Sequence, residues 1–133
     1  AMILVDTSVL INFFKGIDNE KVNKLSNLIT KEIPFGINKY IYMELIQGSS
    51  NMREFNKLKD YLGSQRFYEL QDGIKSYEKA ALIYLKCRRK GITIRSTIDL
   101  IIVQTAIENN LYLLHDDRDF SQIASIISEL KEY

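Results

Sequence analysis

Two patterns of apolar residues alternate along this chain, and together they predict an α/β fold. Residues 2–5 and 111–114 form short, continuous apolar runs, which are typical of strands covered on both faces of a parallel sheet. Between them lie longer segments in which apolar residues recur every three or four positions, as on the buried face of a helix. Strands that alternate with helices in this way form a parallel sheet with right-handed crossovers.

Turn residues and helix caps set the limits of the other elements. Segment 33–37 contains the only proline and a glycine, and we predict short strands there and at 66–70. Asn38 and Ser96 have side chains suited to capping the helices that follow them. We predict helices at residues 9–14, 39–48, 51–62, 73–90, 97–109 and 120–130, with one more around the apolar stripe of Val22, Leu25, Leu28 and Ile29.

The composition is that of one ordinary folded domain. The chain has 133 residues, of which 46% are hydrophobic, which suffices for one well-buried core and is short for two. We therefore predict a single domain over residues 1–133. The charged residues, 26% of the chain, are of both signs and leave a net charge of +1. This balance indicates neither a disordered tail nor a strongly basic nucleic-acid binder.

Cysteine usage and hydropathy favour a cytoplasmic location. The single cysteine, Cys87, cannot form an internal disulfide, and no Cys/His spacing typical of a zinc site occurs. The N-terminal apolar run lacks the basic region of a signal peptide, and no apolar stretch reaches membrane-spanning length. We therefore expect a protein of the reducing cytoplasm without a membrane role.

Four acidic residues stand at unusual places in this pattern. Asp6 and Asp117 follow the two apolar runs, at the carboxyl ends of predicted parallel strands, where α/β sheets bind their ligands. Glu44 and Asp99 lie within the apolar stripes of their helices. A buried carboxylate is costly unless a cation or a proton neutralises it. Converging acids of this kind predict a site for Mg²⁺ or Mn²⁺, which prefer oxygen ligands.

A pair of such ions suits the hydrolysis of phosphodiester bonds. One ion orients and ionises the attacking water, and the other stabilises the leaving oxygen. If bound metal offsets the four acids and the nearby Asp119, the 18 cations of the chain face only 12 other acids. The remaining surface is then basic enough to attract a phosphate backbone. Cations at the end of the long helix also suit its C-terminal dipole without any ligand.

Each acid also has a simpler interpretation when it is taken alone. Asp99 follows Ser96 at the spacing of a capping box, although Glu or Gln is the usual partner there. Glu44 can pair with an arginine such as Arg95 at the edge of a pocket. Asp6 can bond within its own turn. These structural roles leave the metal site open as the explanation of the whole set.

Four segments in order resemble the PIN-domain nucleases, and specifically the small VapC-type toxins of bacterial and archaeal toxin–antitoxin pairs. They are MILVDTSVLI at residues 2–11, MELIQG at 43–48, TIDLII at 97–102 and LLHDDRDF at 113–120. The resemblance covers nearly the whole chain. It implies a three-layer α/β/α fold around a central, mainly parallel sheet of four to five strands.

The resemblance also implies a site and an activity. The activity is Mg²⁺- or Mn²⁺-dependent cleavage of RNA by a metal-activated water, in a toxin that acts with an antitoxin. His115 stands where the family often has Thr or Ser, and a single His at a strand end is more often structural. The metal-binding acids of the family fall on Asp6, Glu44, Asp99 and Asp117, with Asp119 as an auxiliary acid and Ser8 as a support for the first aspartate.

Partners follow from the same resemblance. Family members bind a cognate antitoxin, whose tail occupies the active-site groove, and they form homodimers. Aromatic residues on the helices can contribute to such contacts or can simply belong to the core: Phe13, Phe14, Tyr40, Tyr42, Phe55 and Tyr61. The family usually ends in a further short strand, whereas residues 120–130 of this chain predict a closing helix.

Other functions fit the sequence less well. A haloacid-dehalogenase-type phosphatase needs a second aspartate two residues after the first, where this chain has Ser8. Neither a Walker loop nor a Gly-rich dinucleotide motif occurs. An RNA-processing nuclease of the same fold, outside any toxin–antitoxin pair, is an alternative. A non-catalytic PIN domain that binds RNA or protein is another.

Overall fold

Residues 2–133, the part of the chain described by this computed structural model, form seven helices and five strands. Residue 1, which the predicted domain includes, lies outside that part. The elements in order are β1 (Ile3–Val5), α1 (Thr7–Phe14), α2 (Glu20–Thr30), β2 (Phe35–Ile37), α3 (Lys39–Gln47), α4 (Met52–Gly63), β3 (Arg66–Phe67), α5 (Ile74–Arg89), α6 (Thr97–Glu108), β4 (Tyr112–Leu114), α7 (Arg118–Ile126) and β5 (Lys131–Glu132).

The five strands form one parallel sheet in the order β3-β2-β1-β4-β5. The central strand β1 pairs with β2 on one side and with β4 on the other, and all three of its residues are buried. These observations confirm the predicted α/β class. The chain moves from β1 outwards to β2 and β3 and then returns to β4 on the other side of β1. Such a reversal opens a crevice at the carboxyl ends of the two strands.

The helices contact one another in two groups around this sheet. In one group α1 contacts α2 and α3, and α3 contacts α4; in the other α5 contacts α6 and α7. Their apolar faces supply fully buried side chains such as Leu25, Ile41, Leu62 and Phe120. No helix within residues 2–133 combines the length and the apolar character needed to cross a membrane.

Side-chain caps begin five of the seven helices in the described part of the chain. In each of the five, the side-chain oxygen of the residue before the helix accepts a hydrogen bond from a backbone N–H two or three residues later. The capping residues are Asp6, Asn19, Asn38, Asn51 and Asp117. Each such cap stabilises its helix by about 1 kcal/mol. Ser96 precedes α6 as predicted, but its side chain makes no capping bond.

The C-terminal segment differs from its prediction. Helix α7 ends at Ile126, and Ile127 is extended with φ −102° and ψ 97°, so that the last residues form strand β5 beside β4. Ile123, Ile127 and Leu130 are all buried, and their spacing imitates one continuous helical stripe. Strand β5 itself contains only exposed Lys131 and Glu132. The predicted strand at 66–70 is also shorter in the structure, at Arg66–Phe67.

We predict that Gly36→Ala destabilises the fold by about 2 kcal/mol, because the added methyl group has no space. Gly36 lies in β2, and a Cβ atom there meets the Tyr68 ring and lies 2.6 Å from the backbone oxygen of Arg66. Urea unfolding measures the change. Gly48→Ala is the matched control, since its nearest neighbour is 3.5 Å away. Equal stability of the two variants would show that a methyl group fits between Gly36 and the Tyr68 ring.

Candidate metal centre

The crevice at the strand ends holds Asp6, the residue that follows β1. Asp6 is 5% exposed, and its Oδ2 accepts hydrogen bonds from the Ser8 N–H at 3.0 Å and the Ser8 hydroxyl at 2.6 Å. The Ser8 oxygen in turn accepts a bond from the Asp116 N–H at 2.9 Å. Ser8 thus ties the turn after β1 to the loop after β4. Burial raises the pKa of Asp6 above its ordinary value, although the bonds from Ser8 act in the opposite direction.

Glu44 reaches the same crevice from the middle of α3. Its neighbours Ile41 and Leu45 are buried, while Glu44 itself is half-buried. The Thr7 hydroxyl lies 3.4 Å from Glu44 Oε1 and donates to it. Burial raises the pKa of Glu44, and the charge of Asp6 raises it further. The bond from Thr7, the residue after Asp6, links the Glu44 carboxylate to the turn after β1.

Three further carboxylates meet at the start of two helices. Asp99 lies in the first turn of α6, Asp117 caps α7, and Asp119 lies in the first turn of α7. One oxygen atom of each lies within 4.8 Å of the others. Asp117 Oδ1 also accepts a bond from the Asp119 N–H at 2.9 Å. The structure therefore brings these three predicted acids together.

Asp99 experiences the field of every other acid in the set. Burial is the largest cause that raises its pKa, to about 7, and the charges of Asp6, Asp117, Asp119 and Glu44 follow. Either a proton on Asp99 or a bound cation would relieve this repulsion. Carboxylate oxygens are the ligands that hard divalent ions prefer. The donor set and its mutual repulsion both fit the predicted Mg²⁺ or Mn²⁺.

Arg95 bonds to Asp119 rather than to Glu44. Its Nη2 lies 3.1 Å from Asp119 Oδ2 and 3.2 Å from Oδ1, and its Nε lies 3.3 Å from Oδ2. The alternative pairing of Glu44 with Arg95 is therefore wrong. The capping-box explanation of Asp99 is also wrong, since the Ser96 side chain makes no capping bond. Asp119 is the one acid of the cluster with an arginine partner among residues 2–133.

His115 and Glu132 stabilise the loop that contains Asp117 through a chain of hydrogen bonds. His115 is 3% exposed, its Nδ1 accepts a hydrogen bond from the Asp117 N–H at 3.2 Å, and its Nε2 lies 2.7 Å from Glu132 Oε2. A neutral ring that accepts at Nδ1 carries its proton on Nε2 and donates to Glu132. Nothing in the sequence indicates Glu132 as a partner of His115, because no pattern of residues predicts strand β5.

The other candidate residues lie on exposed surface or against the core. Lys86, Arg88 and Arg89 are exposed in the last turn of α5. Among the aromatic residues, Phe14 and Tyr61 are each 39% exposed and lie edge to face, with ring centroids 5.8 Å apart. The partly buried aromatic residues that pack against the core include Phe13 and Tyr42.

Comparison with known proteins finds a family match and ribonuclease relatives. The PIN domain family matches residues 3–126. Ribonuclease VapC11 of Mycobacterium tuberculosis is 29% identical over 126 residues, which cover 94% of this chain and 93% of that protein. A ribonuclease of the VapC type from Mycobacterium bovis matches with the same identity and coverage.

Solved structures share the fold over the whole chain. VapBC2 from Rickettsia felis, bound to a DNA fragment from its promoter, has a TM-score of 0.75 at 18% identity and covers 100% of this chain and 98% of that chain. VapBC-1 from nontypeable Haemophilus influenzae has a TM-score of 0.71 at 21% identity and covers 100% of this chain and 97% of that chain. At these identities the likeness shows the fold.

We predict that, without metal, Asp99→Asn stabilises the protein at pH 7 by about 1–2 kcal/mol, allowing for the partial exposure of the group. Folded Asp99 keeps its proton up to a pKa of about 7, against an ordinary value of 3.8. The folded state thus binds more protons between these values, and the free energy of unfolding falls as pH rises through them. Urea unfolding in EDTA from pH 4 to pH 7 should show this decline, and the variant should lose most of it.

The control for Asp99→Asn is Asp116→Asn, because Asp116 is exposed and lies next to the same loop. It should keep the wild-type pH dependence. Added Mn²⁺ should stabilise the wild type more than Asp99→Asn, since a ligand that binds only the folded state stabilises it. An unchanged pH profile in Asp99→Asn would contradict the coupling of the five acids.

We predict that Glu132→Ala destabilises the protein by about 1–3 kcal/mol, because it leaves the buried Nε2–H of His115 without an acceptor. Glu132→Gln keeps an oxygen acceptor and should restore most of the stability. Glu129→Ala, at a neighbouring exposed position, serves as the control for urea unfolding. If Glu132→Ala and Glu129→Ala had the same free energy of unfolding, the bond between His115 and Glu132 would contribute nothing to stability.

Proposed function

This chain belongs to the PIN domain family, and on that premise we propose that it is a Mg²⁺- or Mn²⁺-dependent endoribonuclease, the toxin of a toxin–antitoxin pair. The family assignment confirms the resemblance that the sequence predicted. The single observation that carries the proposal is the cluster of Asp99, Asp117 and Asp119, in which one oxygen atom of each residue lies within 4.8 Å of the others. It provides oxygen ligands of the kind that phosphodiester hydrolysis by metal ions requires.

Five acids would hold the metal in this proposal. Bound divalent ions supply activation of water and neutralisation of charge on the phosphate and the leaving oxygen. The ligand set is Asp6, Glu44, Asp99 and Asp117, with Asp119 as the auxiliary acid. The family resemblance gives Asp119 the auxiliary role, and Asp119 already pairs with Arg95. Ser8 supports the set by fixing the Asp6 carboxylate with two hydrogen bonds.

The side chains around the acids orient the substrate and the ligands. Asp6 is buried at a strand end and bonded to Ser8, and this would set the position of the reacting phosphate relative to the sheet. Arg95 and Arg118 are exposed next to the acidic loop and can bind phosphate oxygens, which adds affinity without sequence readout. No side chain needs to form a covalent bond to the RNA. The proposed products carry 5′-phosphate and 3′-hydroxyl ends.

The toxin role rests on the relatives. VapC11 is named a ribonuclease, and the solved neighbours include complexes named VapBC and a toxin–antitoxin complex from Klebsiella pneumoniae. By analogy this protein would act in the cytoplasm as a single domain over residues 1–133, bind a cognate antitoxin and form a homodimer. The exposed pair of Phe14 and Tyr61 on α1 and α4 is a candidate contact for such a partner.

We predict that purified protein cuts RNA at discrete positions with Mg²⁺ or Mn²⁺ and that EDTA abolishes the cuts. Asp6→Asn and Asp99→Asn should each lower the rate by at least about a hundredfold, because metal ions contribute several kcal/mol to such reactions. Mapping the new 5′ ends of total cellular RNA measures both effects.

Asp60→Asn, at an exposed position on α4, is the control and should cut like the wild type. Full activity of Asp6→Asn would refute the assignment of the site. Metal-dependent cutting without growth arrest on expression would favour an RNA-processing nuclease over a toxin. RNA binding without any cutting would favour a non-catalytic domain.

A further inference from the structure

A pocket lies at the carboxyl ends of β2 and β3, beside the strand ends that carry the acids. It has a volume of about 230 Å³. We call it the Asn38 pocket. Its polar and aromatic lining includes Asn38, Tyr40, Tyr68, Glu69 and Tyr77. None of these residues belongs to the proposed metal centre.

Asn38 lines this pocket, and its side chain holds a hydrogen-bond donor that nothing among residues 2–133 uses. Its Oδ1 accepts a bond from the Ile41 N–H at 2.8 Å and so caps α3. Its Nδ2 is buried and has no partner among residues 2–133, although the residue as a whole is only 3% exposed. A buried donor without an acceptor is unfavourable and rare in folded proteins. A ligand with an acceptor oxygen would remove this cost.

The wall of the pocket combines aromatic rings with a carboxylate. Tyr68 is 8% exposed and packs against Gly36, whereas Tyr77 is 50% exposed on α5. Flat rings of this kind stack with unpaired nucleobases. Glu69 pairs with Lys39 through Oε1 at 2.7 Å, which leaves Oε2 for an N–H group of a ligand.

The Asn38 pocket lies directly next to the proposed reaction site. Leu4 pairs with Gly36 in the register of β1 and β2, so the same register sets Asp6 beside Asn38 just beyond the two strands. Neighbouring strands are about 4.8 Å apart. Tyr40 also lies one helical turn before Glu44, on the same side of α3. A nucleotide adjoining the phosphate at the acids can therefore reach the pocket with its base.

We propose that the Asn38 pocket binds one unpaired base of the RNA and selects guanine or uracil over adenine and cytosine. This inference rests on the proposed ribonuclease function. Guanine and uracil present a carbonyl oxygen beside a ring N–H, which matches the donor of Asn38 and the acceptor of Glu69. Adenine and cytosine present an amino group beside a ring nitrogen, the reverse order. The pocket thus supplies the sequence readout that phosphate contacts lack.

The test compares the binding of two labelled oligonucleotides, hexauridylate and hexacytidylate, which differ at the carbonyl and amino positions. Fluorescence anisotropy in EDTA at low salt measures binding without cleavage. We expect hexauridylate to bind wild-type protein about tenfold more tightly. In Asn38→Ser the preference should fall below about twofold, since serine keeps the helix cap but cannot replace the Nδ2 donor.

Two further variants separate the pocket from general effects on folding. Asn51→Ser changes the matching cap of α4, which is exposed, and should keep the tenfold preference. Tyr77→Ala removes a half-exposed stacking surface and should weaken binding of both oligonucleotides by about tenfold. Tyr112→Ala, at the opposite end of the sheet, should weaken neither. Tyr77→Ala also tests the pocket should Asn38→Ser fail to fold.

The outcomes distinguish this inference from the function on which it rests. Equal binding of the two oligonucleotides by the wild type, or an unchanged preference in Asn38→Ser, would overturn the base pocket. Mapped cuts should likewise show guanine or uracil at one fixed position beside the cut. Cuts without such a preference would overturn the pocket and leave the ribonuclease. An Asn38-dependent preference in a protein that never cuts would support the pocket and overturn the ribonuclease.

Discussion

Repulsion among carboxylates at one edge of the sheet is the constraint on which the rest of this molecule depends. The pKa of Asp99 shows this repulsion, because burial raises it and the charges of four other acids raise it further. A fold that gathers such charges loses stability unless a cation or a proton joins them. Asp6 nevertheless follows the fully buried central strand β1, and Ser8 ties it to the loop after β4. The arrangement of the acids is consistent with metal binding.

The helix starts around the crevice reduce this cost. Asp6 caps α1, Asp99 lies in the first turn of α6, and Asp117 and Asp119 lie at the start of α7. Backbone N–H groups at a helix N-terminus stabilise negative charge. Glu44 alone comes from within a helix and depends on Thr7 and on partial exposure. The same short loops that connect strand to helix thus serve as caps and as supports for the site.

The sequence predicted the acids and the sheet because both follow from local patterns. Continuous apolar runs identify β1 and β4, and acidic residues that follow such runs, or lie inside apolar stripes, are the candidate site residues Asp6, Glu44, Asp99 and Asp117. Strand β5 has no such signal, because its two residues are exposed and its place depends on pairing with β4. The role of Glu132 could not be predicted for the same reason. The alternative that pairs Glu44 with Arg95 is wrong because only the folded loop decides between Glu44 and Asp119 as partners of Arg95.

Asp6 and Asn38 show how one backbone arrangement supplies two kinds of chemistry. Asp6 follows β1 and Asn38 follows β2, and these two strands pair with each other. Each residue caps the helix that comes next, and each is more than nine-tenths buried. After β1 the side chain is a carboxylate, whose oxygens suit a cation. After β2 it is an amide, whose oxygen is used by the cap and whose Nδ2 stays without a partner among residues 2–133. Because the two strand ends are neighbours, a chain of alternating phosphates and bases would satisfy both at once, which would join the proposed site of cleavage to the proposed base pocket.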